Sequence, residues 1–128
     1  MKAVGLLVAA CAVLALGCQR KLPRLVVTET IGPGVNTDTA EYHNGSTHVV
    51  SRVLHFYNLP TGDHSEAGDF TAVFRAVTGK DLAEPAAVRS ASALLSALEK
   101  EGVKLIAEPA AKTEEGMAPK VRAFTVVH

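Results

Sequence analysis

"NTDTAEYHNGSTHVVSRVLHFYNLP", Asn36 to Pro60, is the stretch on which the fold of this chain turns. Read as alternating residues, Thr47 to Tyr57 is a strand rich in Val, Phe and Tyr, and Asn44-Gly45 before it is the favoured type I′ hairpin turn. Read with helical periodicity, Val49, Val50, Val53, Leu54 and Tyr57 share one face, with Ser46 or Thr47 as the cap. The first reading extends a sheet, whereas the second adds a helix. The Asn-Gly turn between two β-prone runs favours the hairpin.

Working outward, "LVVTETI", Leu25 to Ile31, has the β-branched residues and partial alternation of a strand, stopped by Gly32, Pro33 and Gly34. On the other side the pattern turns helical from Ser65. Phe70, Val73, Phe74 and Val77 fall at i, i+3, i+4 and i+7, and Gly79 ends the run. A second helix is predicted from near Glu84, with Pro85 in its first turn, through Val88, Ala91, Leu94, Leu95 and Leu98 to Gly102. Val103 to Ala107 and Val121 to Val127 then read as strands. In the latter, Val121, Ala123, Thr125 and Val127 lie on one face and Arg122, Phe124 and Val126 on the other. "EPAAKTEEGMAP", Glu108 to Pro119, between them is a polar loop with two prolines and a glycine. No internal repeat or heptad array is visible.

The expected fold class is α+β, an antiparallel sheet with two helices packed on one face. If Thr47 to Asn58 is helical instead, three helices followed by a β-hairpin result. That order, with "SALEKEGVKLIAEP" ahead of "KVRAFTVV", resembles a winged helix.

A chain of 128 residues is the size of one domain, and its apolar residues crowd the beginning. From Leu25 onward there are 9 basic and 13 acidic side chains, a formal charge of minus four with His neutral. Phosphate binding needs a basic surface or stripe, so this balance speaks against a nucleic-acid partner. With no Trp, two Tyr and four Phe, platforms for stacking bases are also scarce. Both cysteines, Cys11 and Cys18, fall in the opening apolar segment, which leaves the rest of the chain no thiol for an internal disulfide.

Met1 and Lys2 form a short positive start, and Ala3 to Gly17 an apolar run of about fifteen residues, the length of a secretory signal and short for a membrane span. It ends in Leu14, Ala15, Leu16, Gly17, Cys18. This resembles the signal sequence of bacterial lipoproteins, whose lipobox sets small or aliphatic residues before an obligatory cysteine; here Ala15 and Leu16 depart from its commonest pattern. The resemblance implies that Cys18 takes a diacylglyceryl group on its thiol and becomes the acylated amino terminus. Gln19 behind it, in place of Asp, implies export to the outer membrane, facing the periplasm, in a Gram-negative cell. Cys11, preceded by Val8, Ala9 and Ala10, also has suitable neighbours but would leave the apolar run too short. The alternatives are a signal removed without lipidation, a short uncleaved anchor, or a buried helix. On the lipoprotein reading, residues 1–17 are signal, residues 18–24 are the lipidated cysteine and a basic tether with Arg20, Lys21 and Arg24, and residues 25–128 are one small domain. Those basic residues suit anionic headgroups.

Candidate chemistry is sparse. His43, His48, His55 and His64 lie within twenty-two residues, but spacings of five, seven and nine do not match the tight pairs of zinc motifs. In the hairpin reading His43 and His48 flank the turn and come within reach of each other. "GDHSEAGD", with Asp63, His64, Glu66 and Asp69, sets carboxylates ahead of a helix, where Ser65 or Asp69 can cap it. Its spacing does not supply the alternating ligands of a calcium loop. Ser46, Ser51, Ser90, Ser92 and Ser96 are possible nucleophiles, yet none sits in a Gly-x-Ser-x-Gly elbow. Ser90, Ser92 and Ser96 are expected to allow close packing of a helix, and Gly32 to Gly34 reads as a turn rather than a phosphate loop.

These residues assign no catalytic side chain, cofactor or metal ligand, and one lipidation site, Cys18. The leading expectation is a small lipid-anchored extracytoplasmic binding or assembly protein of the bacterial cell envelope, with a protein partner and no nucleic acid. The alternatives are an envelope enzyme or metal-binding protein that uses His43, His48 and His64 with Asp63 and Glu66, or a winged-helix DNA-binding domain if the opening segment is no export signal.

Overall fold

The computed structural model describes residues 22–58, 62–109 and 120–128. Six strands form one antiparallel sheet: β1 (Arg24–Gly32), β2 (Val35–Asn44), β3 (Thr47–Asn58), β4 (Asp63–Ala67), β5 (Lys104–Ala107) and β6 (Lys120–Val127). Their spatial order is β4-β3-β2-β1-β6-β5. Two helices, α1 (Thr71–Thr78) and α2 (Ala91–Lys100), join the β4 edge to β5 and cover one face. The fold is therefore α+β, as the alternation and turn signals predict.

Thr47–Asn58 is a strand over its whole length, paired with β2 from Asn44↔Thr47 to Val35↔Phe56. A helix there would expose Val53 or Ser51, whereas the strand buries both beneath the helices. The winged-helix alternative is thereby removed. The turn itself differs from expectation. Gly45 and Ser46 are its central residues, and only Gly45 has a positive φ, which is the type II′ geometry rather than type I′ about Asn44-Gly45. That shift of one residue makes His43 and His48 direct cross-strand partners.

Period-two alternation sorts the sheet into two faces. Leu25, Val27, Ala40, Tyr42, Val53 and Val126 point to the helices and are almost inaccessible, meeting Phe70, Val73, Phe74 and Val77 of α1 and Ala91, Leu94 and Leu98 of α2. Each buried Val, Leu or Phe side chain among them contributes about 1.5–3 kcal/mol by leaving water. Among the described residues no helix lies on the opposite face. There Val50, Phe56, Ile106, Val121 and Val127 stay 38% to 49% exposed.

Two expected helical stretches are shorter than their patterns. Asp63–Ala67, where a helix was expected from Ser65, pairs along β3 as an edge strand because open backbone groups of β3 remain to be satisfied there. The chain then crosses tightly over β3 at Gly68, whose φ is +85° and whose added Cβ would lie 2.1 Å from the Arg52 carbonyl oxygen. The second helix is also split. Pro85–Ala87 makes one 3₁₀ turn, the backbone extends at Val88, and α2 starts only after Ser90. Ser90 is the N-cap, its Oγ accepting from Ala93 N at 3.1 Å, while Ser92 and Ser96 are exposed rather than packing against a neighbour. The loop from Glu108 to Pro119 falls mostly outside the described residues, as do Gly17 and Cys18.

The helix starts are fastened to the sheet by polar side chains. Buried Ser51 on β3 accepts from Val73 N at 3.0 Å, and buried Asp38 on β2 accepts from Ala91 N at 2.8 Å. Asp69, one residue ahead of the N-cap Phe70, takes the N–H of Thr71 at 2.9 Å, so neither expected residue is the N-cap itself, and Ser65 lies in β4. Each bond satisfies a donor that the helix cannot pair internally, and Asp38 adds negative charge at the positive end of α2.

Three substitutions test this framework by denaturant unfolding. Asp38→Ala leaves the Ala91 N–H buried without an acceptor and is expected to destabilise by about 1–3 kcal/mol. Gly68→Ala adds a left-handed penalty to a backbone clash and is expected to cost about 2–5 kcal/mol. Gly79→Ala, with a φ of +77° but open space around the added methyl, is expected to cost only about 1–2 kcal/mol.

Candidate functional site

The four clustered histidines divide into two groups on opposite faces of the sheet. His43 and His48 lie on the uncovered face at the β2–β3 turn, paired in register with rings stacked at 4.2 Å between centroids. Glu41, two residues before His43, points the same way. Its Oε1 stands 3.4 Å from His43 Nε2 and 3.6 Å from His48 Nε2. All three side chains are roughly half exposed, and both imidazoles direct Nε2 to one carboxylate oxygen.

His55 and His64 lie on the helix side, beyond the apolar core, where β3 pairs with β4. His55 is the partner of Glu66 and Tyr57 of His64. An N–H on His55 Nδ1 donates to Glu66 Oε2 at 2.8 Å, and Arg89 Nε donates to Glu66 Oε1 at 2.8 Å. His64 stacks on Tyr57 at 5.2 Å, and its Nε2 is 3.9 Å from Glu66 Oε2. Asn36 donates to the Tyr57 hydroxyl at 3.3 Å. Arg89 comes from the segment just before α2, so this cluster fastens the helical connection to the β3–β4 edge.

Charge separates the two clusters. The Arg89 guanidinium, with a smaller contribution from His55, holds the Glu66 carboxyl below the usual carboxylate range. Both of its oxygens already have donors, and a fixed positive charge sits beside it. At the other cluster the nearest basic side chain on the adjoining strand is Arg24, opposite His43. Its guanidinium is taken bidentately by Glu108 at 2.9 to 3.1 Å, which raises its own pKa and lowers that of Glu108.

Of the residues singled out from sequence, His43 and His48 come together, and His64 joins Glu66 and His55. The six residues of strand between His48 and His55, and the change of face, keep the groups from forming one pocket. Asp63 pairs with Asn58 in register, its side chain lying outside the described residues. Ser51 is a helix anchor rather than a nucleophile. Glu41 escaped notice although its i, i+2 spacing to His43 puts both on one strand face. Nothing in the local pattern marks Arg89, which reaches Glu66 across twenty-three residues. A groove of about 430 Å³ between α1, α2 and their connection is lined by Phe74, Leu82, Val88 and Ala97 with Asp81, Glu84 and Lys100 at its rim. Its lining includes the Ser96 hydroxyl but no imidazole to activate it.

Comparison with protein families, with curated proteins and with solved structures finds no match to this chain.

The depressed Glu66 carboxyl has a defined consequence for pH. Its stabilising effect is present above the ordinary carboxylate range and is lost as the pH falls through its lower, folded-state value. Arg89→Ala is expected to return the Glu66 titration, followed by NMR of the side-chain carboxyl, upward to that ordinary range. It should also flatten the acid limb of a urea-unfolding profile; a Glu66 titration unmoved by the substitution would show that Arg89 is not the cause.

Proposed function

We propose that this chain is a small lipid-anchored extracytoplasmic domain that works by binding a protein partner in the bacterial cell envelope. The observation that carries the anchoring is Gly17-Cys18 at the end of the apolar run, only six residues ahead of Arg24, the first residue of β1. Six residues reach at most about 20 Å, so an acyl chain on Cys18 keeps the β2–β3 turn end of the sheet, where His43 pairs with Arg24, close to the bilayer. The acyl chains supply the attraction and the basic residues Arg20, Lys21 and Arg24 reinforce it. On the Gram-negative reading the anchor is the outer membrane, with the domain in the periplasm.

Support for binding rather than turnover comes from the sheet. Its uncovered face carries Val50, Phe56, Ile106, Val121 and Val127 among threonines, an apolar surface already ordered by the strands behind it. The enzyme reading needs a pocket joining His43, His48 or His64 to Asp63 or Glu66; His64 stands beside Glu66, but both oxygens of that carboxylate are already held by His55 and Arg89. The DNA-binding reading loses the first of its three helices, because Thr47–Asn58 is a strand.

One set of cell experiments tests both halves. Palmitate labelling and intact mass should give a mature species that begins at Cys18 and carries the acyl mass, absent in Cys18→Ala. A photo-crosslinking residue at Phe56 should then form a discrete adduct with an envelope protein, while the same residue at exposed Glu99 on α2 should not. Unchanged processing of Cys18→Ala removes the anchor. Equal crosslinking from both positions removes the sheet face as the binding surface.

A further inference from the structure

We infer that Glu41, His43 and His48 form a surface site for a divalent transition-metal ion of zinc type. Ligand atoms bound to a tetrahedral zinc at about 2.0–2.2 Å stand about 3.3–3.6 Å from one another. Glu41 Oε1 is 3.4 Å from His43 Nε2 and 3.6 Å from His48 Nε2, and the three donor atoms all lie within 4.8 Å of each other. Two edges of a coordination tetrahedron are therefore already drawn by the side chains. The donors are two imidazoles and one carboxylate, a set that suits zinc or copper and is poor for magnesium or calcium, which take oxygen ligands. Three protein ligands at the surface leave the fourth position to water or to an incoming group.

The backbone explains why the arrangement is ready-made. His43 and His48 are cross-strand partners next to a tight two-residue turn, and Glu41 follows at the next same-face position of β2. None of the three needs to leave its strand to converge. The charges around the site permit a cation. Arg24, opposite His43, is neutralised by Glu108, and Arg52 lies further along β3 beyond Val50. The second histidine cluster fails the same test. His55 Nδ1 and Glu66 Oε2 are at hydrogen-bond distance, 2.8 Å, and Arg89 holds the other oxygen, so an entering cation would face a fixed positive charge. The site does not rest on lipidation of Cys18.

The test is zinc titration by calorimetry on the full chain carrying Cys11→Ala and Cys18→Ala, so that no thiol competes. One zinc per chain is expected. His43→Ala and His48→Ala should each weaken binding at least tenfold and Glu41→Gln several-fold, while His64→Ala should leave it unchanged. Absence of saturable heat overturns the site, as does binding that survives His43→Ala and His48→Ala or is lost in His64→Ala. If either alanine variant loses its far-UV circular dichroism, histidine-ring NMR of the parent chain decides. Zinc should shift the His43 and His48 resonances together, and movement of neither ring overturns the proposal.

Discussion

The fold depends on two hydrogen bonds that leave the sheet. Asp38 and Ser51 stand on the apolar face, where an unpaired polar group is costly, and each receives the N–H of a residue in a helix's first turn. Apolar burial alone would let α1 and α2 slide over the strands, because it has no direction. The two bonds fix where each helix begins, and the buried side chains of Phe70, Val73, Leu94 and Leu98 then meet Leu25, Val27, Tyr42 and Val53 in one arrangement. Position comes from the polar contacts and most of the free energy from the apolar ones.

With the helices held on one side, the other face of the sheet is left to solvent, and its side chains acquire a separate role. On the helix side the polar groups that lie past the core, His55, Glu66 and Arg89, close on one another and act as a fastening. On the uncovered side Glu41, His43 and His48 converge, and among the described residues no guanidinium holds the carboxylate. Similar residue types thus have different chemistry on the two faces, and the neighbouring positive charge is the difference.

Much of this was legible from pattern. The alternation in Leu25 to Ile31 and Val121 to Val127, the apolar positions of α1 and the two-sided character of β6 all follow from side chains that repeat with the period of the element holding them. That His43 and His48 come within reach of each other followed once a hairpin was accepted, but their direct pairing came from the one-residue shift of the turn. Asp63–Ala67 did not read as a strand because its sequence, DHSEA, is mostly polar and has no β-branched residue; open ladder bonds on β3, not propensity, make it one. The break at Val88 in the second helix likewise has no periodic signature. Ser51 and Asp38 look from sequence like ordinary strand residues, since what they accept from lies twenty-two and fifty-three residues away.

By itself the sequence determined which residues are apolar at which period, where glycine and proline stop each run, and that an apolar segment ending in Gly17-Cys18 precedes the charged chain. Those are local properties, settled by side chains and their near neighbours. Only the tertiary structure decided that β6 returns beside β1, that Asp38 and Ser51 serve the helices, and that the histidines fall into two groups on opposite faces. The physical reason is that strand register and face are set by partners far along the chain. Whether a carboxylate holds an arginine or stands open to a cation depends on which of those partners arrives.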